Sequence, residues 1–211
     1  MVIMRIFLNC QKSKFKMNKI GLFFGSFDPI HIGHMNVINS VLNMDLVSNV
    51  QLVVAYSNPW KPRQTPFEDR CSMARLATHT TPYVTVNTIE KDVYEKWGIT
   101  CTYKVIEALK EKFSKSNSEL YIITTQETYS EIPNWKNGEE IIKNNKFIII
   151  FSDHFGTVNF EPKDGDILID IKDIPISSTN IRDMVACNQM LVPFTDKHVE
   201  LYIKNHKLYK E

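Results

Sequence analysis

The stretch that decides the fold is Gly21-Leu-Phe-Phe-Gly25-Ser26-Phe27-Asp28-Pro29-Ile30-His31-Ile32-Gly33-His34. Its first part belongs to an apolar run, residues 19–24, which predicts a buried strand. Its last part opens a segment, residues 33–44, whose apolar side chains recur at helical spacing. A strand that turns directly into a helix is typical of a parallel sheet, where ligands bind beyond the carboxyl ends of the strands.

The rest of the chain repeats this alternation of strands and helices. Further strands are predicted over 50–56, 83–88, 120–124, 147–151 and 166–171, and further helices over 67–78, 100–113, 137–144, 178–187 and 195–205. We therefore expect an α/β fold: a Rossmann-like, doubly wound and mostly parallel sheet of five to six strands, with helices on both faces. Residues 19–211 are predicted to form one domain, preceded by an N-terminal extension, residues 1–18.

The composition of the chain argues against several classes of function. The 211 residues include 25 basic and 24 acidic ones, so the chain lacks the basic excess of a non-specific nucleic-acid binder. No apolar run reaches the ~18 residues of a membrane span. The four cysteines lie far apart and not at zinc-binding spacing, which argues against a disulfide framework or a zinc site. We expect neither nucleic acid nor a membrane as a partner.

The first motif suits a bound phosphate. Gly25 and Ser26 allow backbone N–H groups to face a ligand closely, and Gly33 leaves space for a flat base near the helix start. The helix N-terminus favours an anion. His31 and His34 fall on nearly the same face of the first turn, where two imidazoles can donate hydrogen bonds to phosphate oxygens. The alternative is a pair of histidines that only cap or pack.

This pattern resembles the G-x-[FS]-[DN]-P-x-H-x-G-H motif of the nucleotidyltransferase superfamily. The resemblance implies transfer of a nucleotidyl group from a nucleoside triphosphate to a phosphate- or hydroxyl-bearing acceptor, with release of pyrophosphate. It also implies that His31 and His34 are catalytic. The ATP-binding residues that it implies here are Gly25, Ser26, Phe27 and Gly33.

A second motif, residues 174–182 (Ile-Pro-Ile-Ser-Ser-Thr-Asn-Ile-Arg), follows a predicted strand. Ser178 or Thr179 can cap the next helix, and the N–H groups of that helix start can hold phosphate oxygens. Arg182 lies one turn further and suits bidentate phosphate binding. The stretch resembles the superfamily's I-S-S-T-x-I-R, which grips the β- and γ-phosphates of ATP. The resemblance makes Ser177, Ser178, Thr179 and Arg182 ATP-binding residues, and Arg182 a catalytic one as well.

One similarity is misleading. The residues His31-Ile32-Gly33-His34 also spell a signature of class I aminoacyl-tRNA synthetases, and Lys112–Ser116 resembles their second signature, K-M-S-K-S. A chain of 211 residues leaves no room for a tRNA-binding domain, and no basic excess is present to hold tRNA. We therefore interpret Lys112–Ser116 as a solvated helix end.

Four further segments resemble bacterial-type nicotinate-mononucleotide adenylyltransferases. They are Asn58-Pro-Trp-Lys61 followed by Arg70 (family P-P-H-K…R), Thr100-Cys-Thr102 (S-Y-T), Ile132-Pro-Asn-Trp135 (L-P-x-W) and His206-Lys-Leu-Tyr209 (H-x-L-Y). The resemblance implies that Trp135 stacks on the pyridine ring of the acceptor. It implies that amides near Thr102 and Lys136 receive the ring carboxylate, and that Lys61 binds phosphate.

The sequence departs from that family at a few positions. Thr125-Gln126-Glu127 stands where relatives carry Gly-Ala/Ser-Asp, so Glu127 is expected to reach the ATP ribose with a longer arm. Trp60 replaces a histidine, and Ser152-Asp-His154 stands where relatives often place an arginine. These changes affect the ribose and acceptor contacts rather than the phosphate chemistry.

The resemblance implies direct in-line attack of the acceptor phosphate on Mg²⁺-bound ATP, in the cytoplasm, as a step of NAD biosynthesis. The Mg²⁺ would be carried by the ATP phosphates and not by side chains. ATP and nicotinate mononucleotide are the expected partners. The sequence leaves open a homo-oligomer, an organellar location through the basic N-terminal stretch, and use of nicotinamide mononucleotide. Phosphopantetheine adenylyltransferase and a non-catalytic adenine-nucleotide sensor are the alternative functions.

Overall fold

Six parallel strands form one sheet in the computed structural model, which describes residues 18–57, 64–151, 161–172 and 174–210. The strands are β1 (Asn18–Gly25), β2 (Asn49–Val54), β3 (Val84–Asn87), β4 (Ser118–Thr125), β5 (Lys146–Phe151) and β6 (Ile167–Asp170). Their spatial order is β3-β2-β1-β4-β5-β6, and each neighbouring pair is parallel. The chain builds outward from β1 in one direction and then in the other, so β1 and β4 flank the switch point of a doubly wound sheet.

Eight α-helices connect or flank the strands. They are α1 (Ile32–Asn43), α2 (Phe67–Thr78), α3 (Ile89–Trp97), α4 (Thr102–Phe113), α5 (Gln126–Glu131), α6 (Gly138–Asn144), α7 (Ser178–Ala186) and α8 (Lys197–Asn205), with a 3₁₀ turn at Ile132–Asn134. The expected α/β architecture of five to six parallel strands is confirmed. The end of α4 near Lys112 is exposed, as expected for a solvated helix end.

The apolar strand residues alternate between two cores. On one face, Ile123 and Ile148 pack with the buried sides of α1, α2, α7 and α8. On the other face, Leu22 packs against α3 and α4, and Ile149 packs against α4, α5 and α6. The central strands β2, β4 and β5 are buried on both faces and are nearly continuous apolar runs, which is how the sequence identified them.

The sequence analysis missed two helices. In α3 the buried residues are Ile89, Glu90 and Val93, and the remaining positions are mostly charged or exposed, so the helical pattern in the sequence is weak. In α5 only six residues form the helix, which is too short for a period of 3.6 residues to show. Helix α4 also begins at Thr102 rather than at 100. None of the helices in the described ranges is both long and apolar enough to cross a membrane.

Candidate active site at the carboxyl ends of the strands

The turn after β1 is built around Phe27. This residue adopts a left-handed backbone conformation (φ 49°), and its ring is buried against Phe23 and His34. A side chain at Gly25 would collide with that ring, because its Cβ would lie 2.7 Å from Phe27 Cζ. Gly25 is therefore required by packing within the turn as well as by its position at the end of β1.

The two histidines of the motif lie face to face at the start of α1. Their ring centroids are 3.7 Å apart, and the rings are inclined by 33°. The His31 backbone N–H donates to His34 Nδ1 over 3.2 Å, which places the His34 ring proton on Nε2. Gly33 makes room for this pair, since its Cβ would lie 3.0 Å from the His31 ring. The prediction that both histidines share one face is confirmed.

His31 is a neutral group at pH 7. It is the N-cap of α1 with 8% of its surface exposed, and this burial lowers the pKa of its imidazole to about 4. Its Nδ1 is buried with no hydrogen-bond partner in the part of the chain that the structure describes. A buried polar atom of this kind costs free energy unless a ligand or water satisfies it. Without a ligand, His31 is therefore a neutral hydrogen-bonding group.

The second motif packs directly on the first. Ser178 Oγ donates to the carbonyl of Pro29 over 2.9 Å, and Arg182 Nη1 donates to the carbonyl of Asp28 over 2.8 Å. Arg182 Nη2 also donates to Thr179 Oγ1 at 3.0 Å, which orients the guanidinium along the first turn of α7. The fold thus brings the N-termini of α1 and α7 to one place, although they are far apart in the sequence.

The cap of α7 differs from the prediction. Ser177, and not Ser178 or Thr179, is the N-cap, and its Oγ accepts from the Asn180 N–H at 3.1 Å. The Asn180 side chain in turn accepts from the Ser177 N–H, which completes a capping box. The physical reason is that Ser178 already uses its hydroxyl to reach the first motif.

Asp28 joins the first motif to the C-terminal end of the chain. Its Oδ1 accepts from the Tyr209 hydroxyl at 2.6 Å, and its Oδ2 accepts from the Thr65 N–H at 3.2 Å. Burial, together with the Asp28 charge, raises the pKa of Tyr209, so this hydroxyl keeps its proton and remains a donor. The closing His-x-Leu-Tyr pattern therefore has a structural contact with the phosphate motif.

Arg70 holds the loops around the site together. Arg70 is 1% exposed, and its guanidinium donates hydrogen bonds to four backbone carbonyl oxygens. Burial lowers its pKa, although an arginine remains charged at neutral pH. The four acceptors lie in three neighbouring segments and are the carbonyls of Ser26, Ala55, Tyr56 and Thr65.

A cavity of about 770 Å³ opens at the carboxyl ends of β1, β2 and β4. It brings together five of the predicted site residues from three separate segments, and this volume is typical of small-molecule sites. Trp135 is half-buried on one side of the cavity and packs against the core beneath α4 and α6. The five residues are Gly25, Ser26, Thr102, Trp135 and Lys136.

The N-terminus of α4 faces this cavity. Its N-cap, Cys101, makes no side-chain hydrogen bond to the helix, so the N–H groups of the first turn, from Thr102 onward, can receive an anion. Thr100 anchors the segment through a 3.1 Å hydrogen bond from its hydroxyl to the Ser57 carbonyl. A helix start of this kind, next to the Trp135 ring, suits a flat ligand that carries a carboxylate.

Other predicted residues are not in the described lining of the cavity. Those that belong to the two phosphate motifs are Phe27, His31, Gly33, His34, Ser177, Ser178, Thr179 and Arg182. Glu127 is exposed in the first turn of α5, and the described cavity lining does not include it, so its ribose contact stays a prediction. Thr125 instead serves as the N-cap of α5, accepting from the Thr128 N–H at 3.3 Å. Lys61, Trp60 and residues 152–154 lie outside the described residues.

Sequence reasoning missed Glu90, which lines the cavity from α3. The side chain is 9% exposed, and burial raises the pKa of its carboxyl to about 7, although backbone hydrogen bonds from Tyr56 and Ser57 lower it. No motif flagged this residue. The signal that could have found it is an acid between Ile89 and Val93, two residues that form the buried stripe of α3.

Comparison with known proteins places the chain in a family. Residues 22–184 match the cytidylyltransferase-like family. A probable nicotinate-nucleotide adenylyltransferase of Leifsonia xyli is 30% identical over 194 residues, which cover 91% of this chain and 94% of the relative. The chain belongs to the nicotinate-nucleotide adenylyltransferase family. A Flavobacterium johnsoniae protein of the same name is 29% identical and is covered over its whole length.

Solved structures confirm the fold. The Plasmodium falciparum nicotinic acid mononucleotide adenylyltransferase complexed with NaAD superimposes with a TM-score of 0.76, covering 91% of this chain and 97% of that one at 21% identity. A Vibrio parahaemolyticus protein described as a nicotinate-nucleotide adenylyltransferase gives a TM-score of 0.69 at 18% identity. The resemblance stated from the motifs is thus confirmed at the level of family and fold.

Proposed function

We propose that the protein transfers the adenylyl group of ATP to nicotinate mononucleotide, forming nicotinate adenine dinucleotide and pyrophosphate. The observation that carries this proposal is the cavity that joins Gly25 and Ser26, at the start of the first motif's turn, to Trp135 and the start of α4. The names of the family members support the same reaction. This transfer is the dinucleotide-forming step of NAD biosynthesis.

The acceptor phosphate attacks the α-phosphorus of ATP directly. One of its oxygens forms the new P–O bond as the bond to the pyrophosphate oxygen breaks, so pyrophosphate leaves with that electron pair. A phosphate monoester has a second pKa near 6 and is mostly dianionic at pH 7, so no side-chain base is required. Catalysis then rests on positioning and charge stabilisation.

The described residues offer three groups for the ATP phosphates. His31 and His34 lie face to face at the N-terminus of α1 as hydrogen-bonding groups, and burial lowers the pKa of His31 in the ligand-free protein. Arg182 supplies the positive charge from α7, whose capped start also presents backbone N–H groups. Ser177, Ser178 and Thr179 are proposed to border the β- and γ-phosphates, and Lys61 to bind phosphate from the loop before α2.

The motif carboxylate is held by two structural contacts. Both oxygens of Asp28 already accept hydrogen bonds, from Tyr209 and Thr65. This arrangement fits a Mg²⁺ ion held by the ATP phosphates rather than by side chains. When bound there, the ion would offset phosphate charge as it develops toward pyrophosphate.

The acceptor ring is proposed to lie on Trp135. Offset stacking suits a flat pyridine ring, and the N–H groups at the start of α4 and at Lys136 favour a carboxylate over an uncharged amide. Nicotinate mononucleotide is therefore the preferred acceptor and nicotinamide mononucleotide the poorer one. Glu127 is proposed to contact the ribose of ATP through its longer arm.

The test is pyrophosphate release with Mg-ATP and one acceptor at a time: nicotinate mononucleotide, nicotinamide mononucleotide or phosphopantetheine. A strong preference for the first supports the proposal. Equal use of both pyridine mononucleotides keeps the reaction and refutes the carboxylate argument. Turnover with phosphopantetheine alone overturns the proposal and favours phosphopantetheine adenylyltransferase. Absence of turnover with all three acceptors also overturns it and favours the non-catalytic sensor.

A matched pair of tryptophan variants tests the acceptor site. Trp135→Ala should raise the KM for nicotinate mononucleotide by about fivefold or more while leaving the KM for ATP within about twofold, because loss of one aromatic stack removes roughly 1 kcal/mol or more. Trp97→Ala is the control, since Trp97 is 55% exposed on α3 and is not among the cavity residues described. Equal effects of the two variants would contradict the stacking role.

A further inference from the structure

Two histidines and an aspartate meet on the surface where α2 and α8 pack together. The helices run antiparallel: Tyr202, in the middle of α8, donates to Asp69 near the start of α2 at 2.8 Å. This pairing brings His79, the C-cap of α2, to the first turn of α8, where Asp196 is the N-cap and His198 is the second residue. The three residues belong to neither phosphate motif.

The side chains are close enough to share one ligand. Their possible donor atoms all lie within 4.8 Å of one another, and the two imidazole centroids are 4.9 Å apart with the rings nearly perpendicular (83°). Tetrahedral metal–nitrogen bonds of about 2.1 Å hold ligand atoms roughly 3.4 Å apart. The donor atoms therefore need to approach one another by at most about 1.4 Å, the difference between 4.8 and 3.4 Å, and the exposed His79 side chain can do so by a modest rotation.

Hydrogen bonds already fix the tautomer of each histidine. His79 Nδ1 lies 2.7 Å from the Leu76 carbonyl, which can only accept, so this nitrogen carries the proton. His198 Nδ1 lies 2.9 Å from Asp196 Oδ1, an oxygen that also accepts from the His198 N–H at 2.7 Å. His79 therefore keeps a lone pair on Nε2, as metal-binding histidines do when their other ring nitrogen donates to a carbonyl. His198 Nδ1 and Asp196 Oδ1 already face each other, and a metal ion can take the place of the proton between them, which then moves to His198 Nε2.

The geometry points to a metal site formed by His79, Asp196 and His198, which takes a divalent first-row transition-metal ion such as Zn²⁺. Imidazole nitrogens with one carboxylate suit Zn²⁺, Ni²⁺ or Cu²⁺, whereas Mg²⁺ prefers oxygen ligands and keeps several waters. Water completes the coordination, because the residues are exposed or half-exposed. The site is thus chemically distinct from the Mg-ATP site.

The helix dipoles and the Asp196 carboxylate together allow a cation to bind between these three side chains. The C-terminus of α2 carries the negative end of its dipole, which favours a cation next to His79. The N-terminus of α8 opposes a cation, and the Asp196 carboxylate offsets this opposition.

A metal ion at this site would affect the segment that precedes α8 and contacts the first motif. Phe194 and Thr195 directly precede Asp196, and they hold the first motif through two 2.9 Å hydrogen bonds: the Ile32 N–H to the Phe194 carbonyl, and the Thr195 hydroxyl to the Ile30 carbonyl. Binding of the ion to Asp196 and His79 would tie this segment to α2. The structural consequence is a more stable junction between α2, α8 and the start of α1.

The test is titration of the metal-free full-length protein with ZnCl₂ by isothermal calorimetry, without nucleotides. We expect one Zn²⁺ per chain and a rise of Tm with Zn²⁺ concentration. His79→Ala and His198→Ala should each weaken the Kd by about tenfold or more, and Asp196→Asn should do so while keeping the α8 cap. His206→Ala is the matched control, since His206 caps the other end of α8 and should leave the Kd unchanged.

Co²⁺ provides a second readout that is independent of activity. Its visible absorption bands should show nitrogen and oxygen ligands in the wild type and in His206→Ala, and these bands should be lost in His79→Ala and His198→Ala. The proposal is overturned if the wild type binds no Zn²⁺ in the micromolar range, or if the His79 and His198 variants bind it as the wild type does. These outcomes do not depend on whether the protein transfers adenylyl groups.

Discussion

Replacing Gly138 with alanine should damage the acceptor site and spare the ATP site. Gly138 is the first residue of α6, and its N–H donates to the Trp135 carbonyl at 2.9 Å. The Trp135 N–H in turn donates to the Ile132 carbonyl at 2.9 Å. A Cβ at position 138 would lie 1.8 Å from the Ile132 oxygen. The alanine side chain would therefore enter the turn that fixes Trp135.

The size of the displacement follows from that contact. Real Cβ atoms essentially never come closer than 3.0 Å to another heavy atom, so Ile132 O and the new Cβ must separate by at least 1.2 Å, the difference between 3.0 and 1.8 Å. The atom that must move belongs to the backbone, and its shift is passed to Trp135 through the hydrogen bond between them. A displacement of about 1 Å in a positioning group can cost roughly 100-fold in rate.

The assay is pyrophosphate release with one substrate varied and the other saturating. For Gly138→Ala we expect kcat/KM for nicotinate mononucleotide to fall about 10- to 100-fold, with the KM for ATP within about twofold of the wild type. Gly98→Ala is the control: its Cβ meets nothing within 4 Å, but its φ of +68° is unfavourable for alanine. That control should lose roughly 1 kcal/mol of stability and keep both KM values. A folded Gly138→Ala protein with an unchanged acceptor KM would refute the reasoning.

Three further variants test the other parts of the site. His34→Ala should lower kcat by about 100-fold or more with little change in the Kd for ATP, and similar losses in both would contradict a role in the transition state. Tyr209→Phe leaves one oxygen of Asp28 without its donor and should cost about 1.5–3 kcal/mol in urea unfolding, whereas the exposed Tyr83→Phe should cost almost nothing. Burial raises the pKa of Glu90 from 4.5 to about 7 in the fold, so its contribution to stability is complete below pH 4.5 and is lost as the pH rises through 7. Glu90→Gln should therefore remove about 3 kcal/mol of pH-dependent stability between pH 4.5 and 8 in urea unfolding, and the exposed Glu95→Gln should not.

The positions of the side chains within the two phosphate motifs could be predicted because each depends on local sequence. His31 and His34 are three residues apart on a helix start, and Arg182 is one turn after a capping serine, so spacing alone places them. The central strands were equally predictable, because β2, β4 and β5 are buried on both faces and are apolar along most of their length. The capping residue was misassigned because three hydroxyl residues stand in succession at 177–179, and the sequence does not say which of them faces the other motif.

Glu90, which the sequence did not single out, and Arg70, to which it assigned no role, both act through distant backbone groups. Glu90 accepts N–H groups that follow β2, and Arg70 donates to carbonyls in three segments. Neither contact has a periodicity or a spacing, because the partners are peptide groups, which every residue carries. Such a side chain can be assigned a role only after the fold has placed it against the loops.

Buried polar side chains explain how loops from distant parts of the sequence pack together into one site. Peptide groups in a loop need partners when the loop is packed against others, and neighbouring loops cannot form regular ladders with one another. Arg70, Asp28 and Glu90 supply these partners from side chains, and each is less than 10% exposed. Arg70 and Asp28 both hold Thr65, at the exit of the loop that contains Lys61, and Glu90 holds Tyr56 and Ser57 at its entrance. The described ends of that loop are therefore held by side chains and not by a regular ladder of backbone hydrogen bonds. We expect changes at Arg70 or Glu90 to shift these ends.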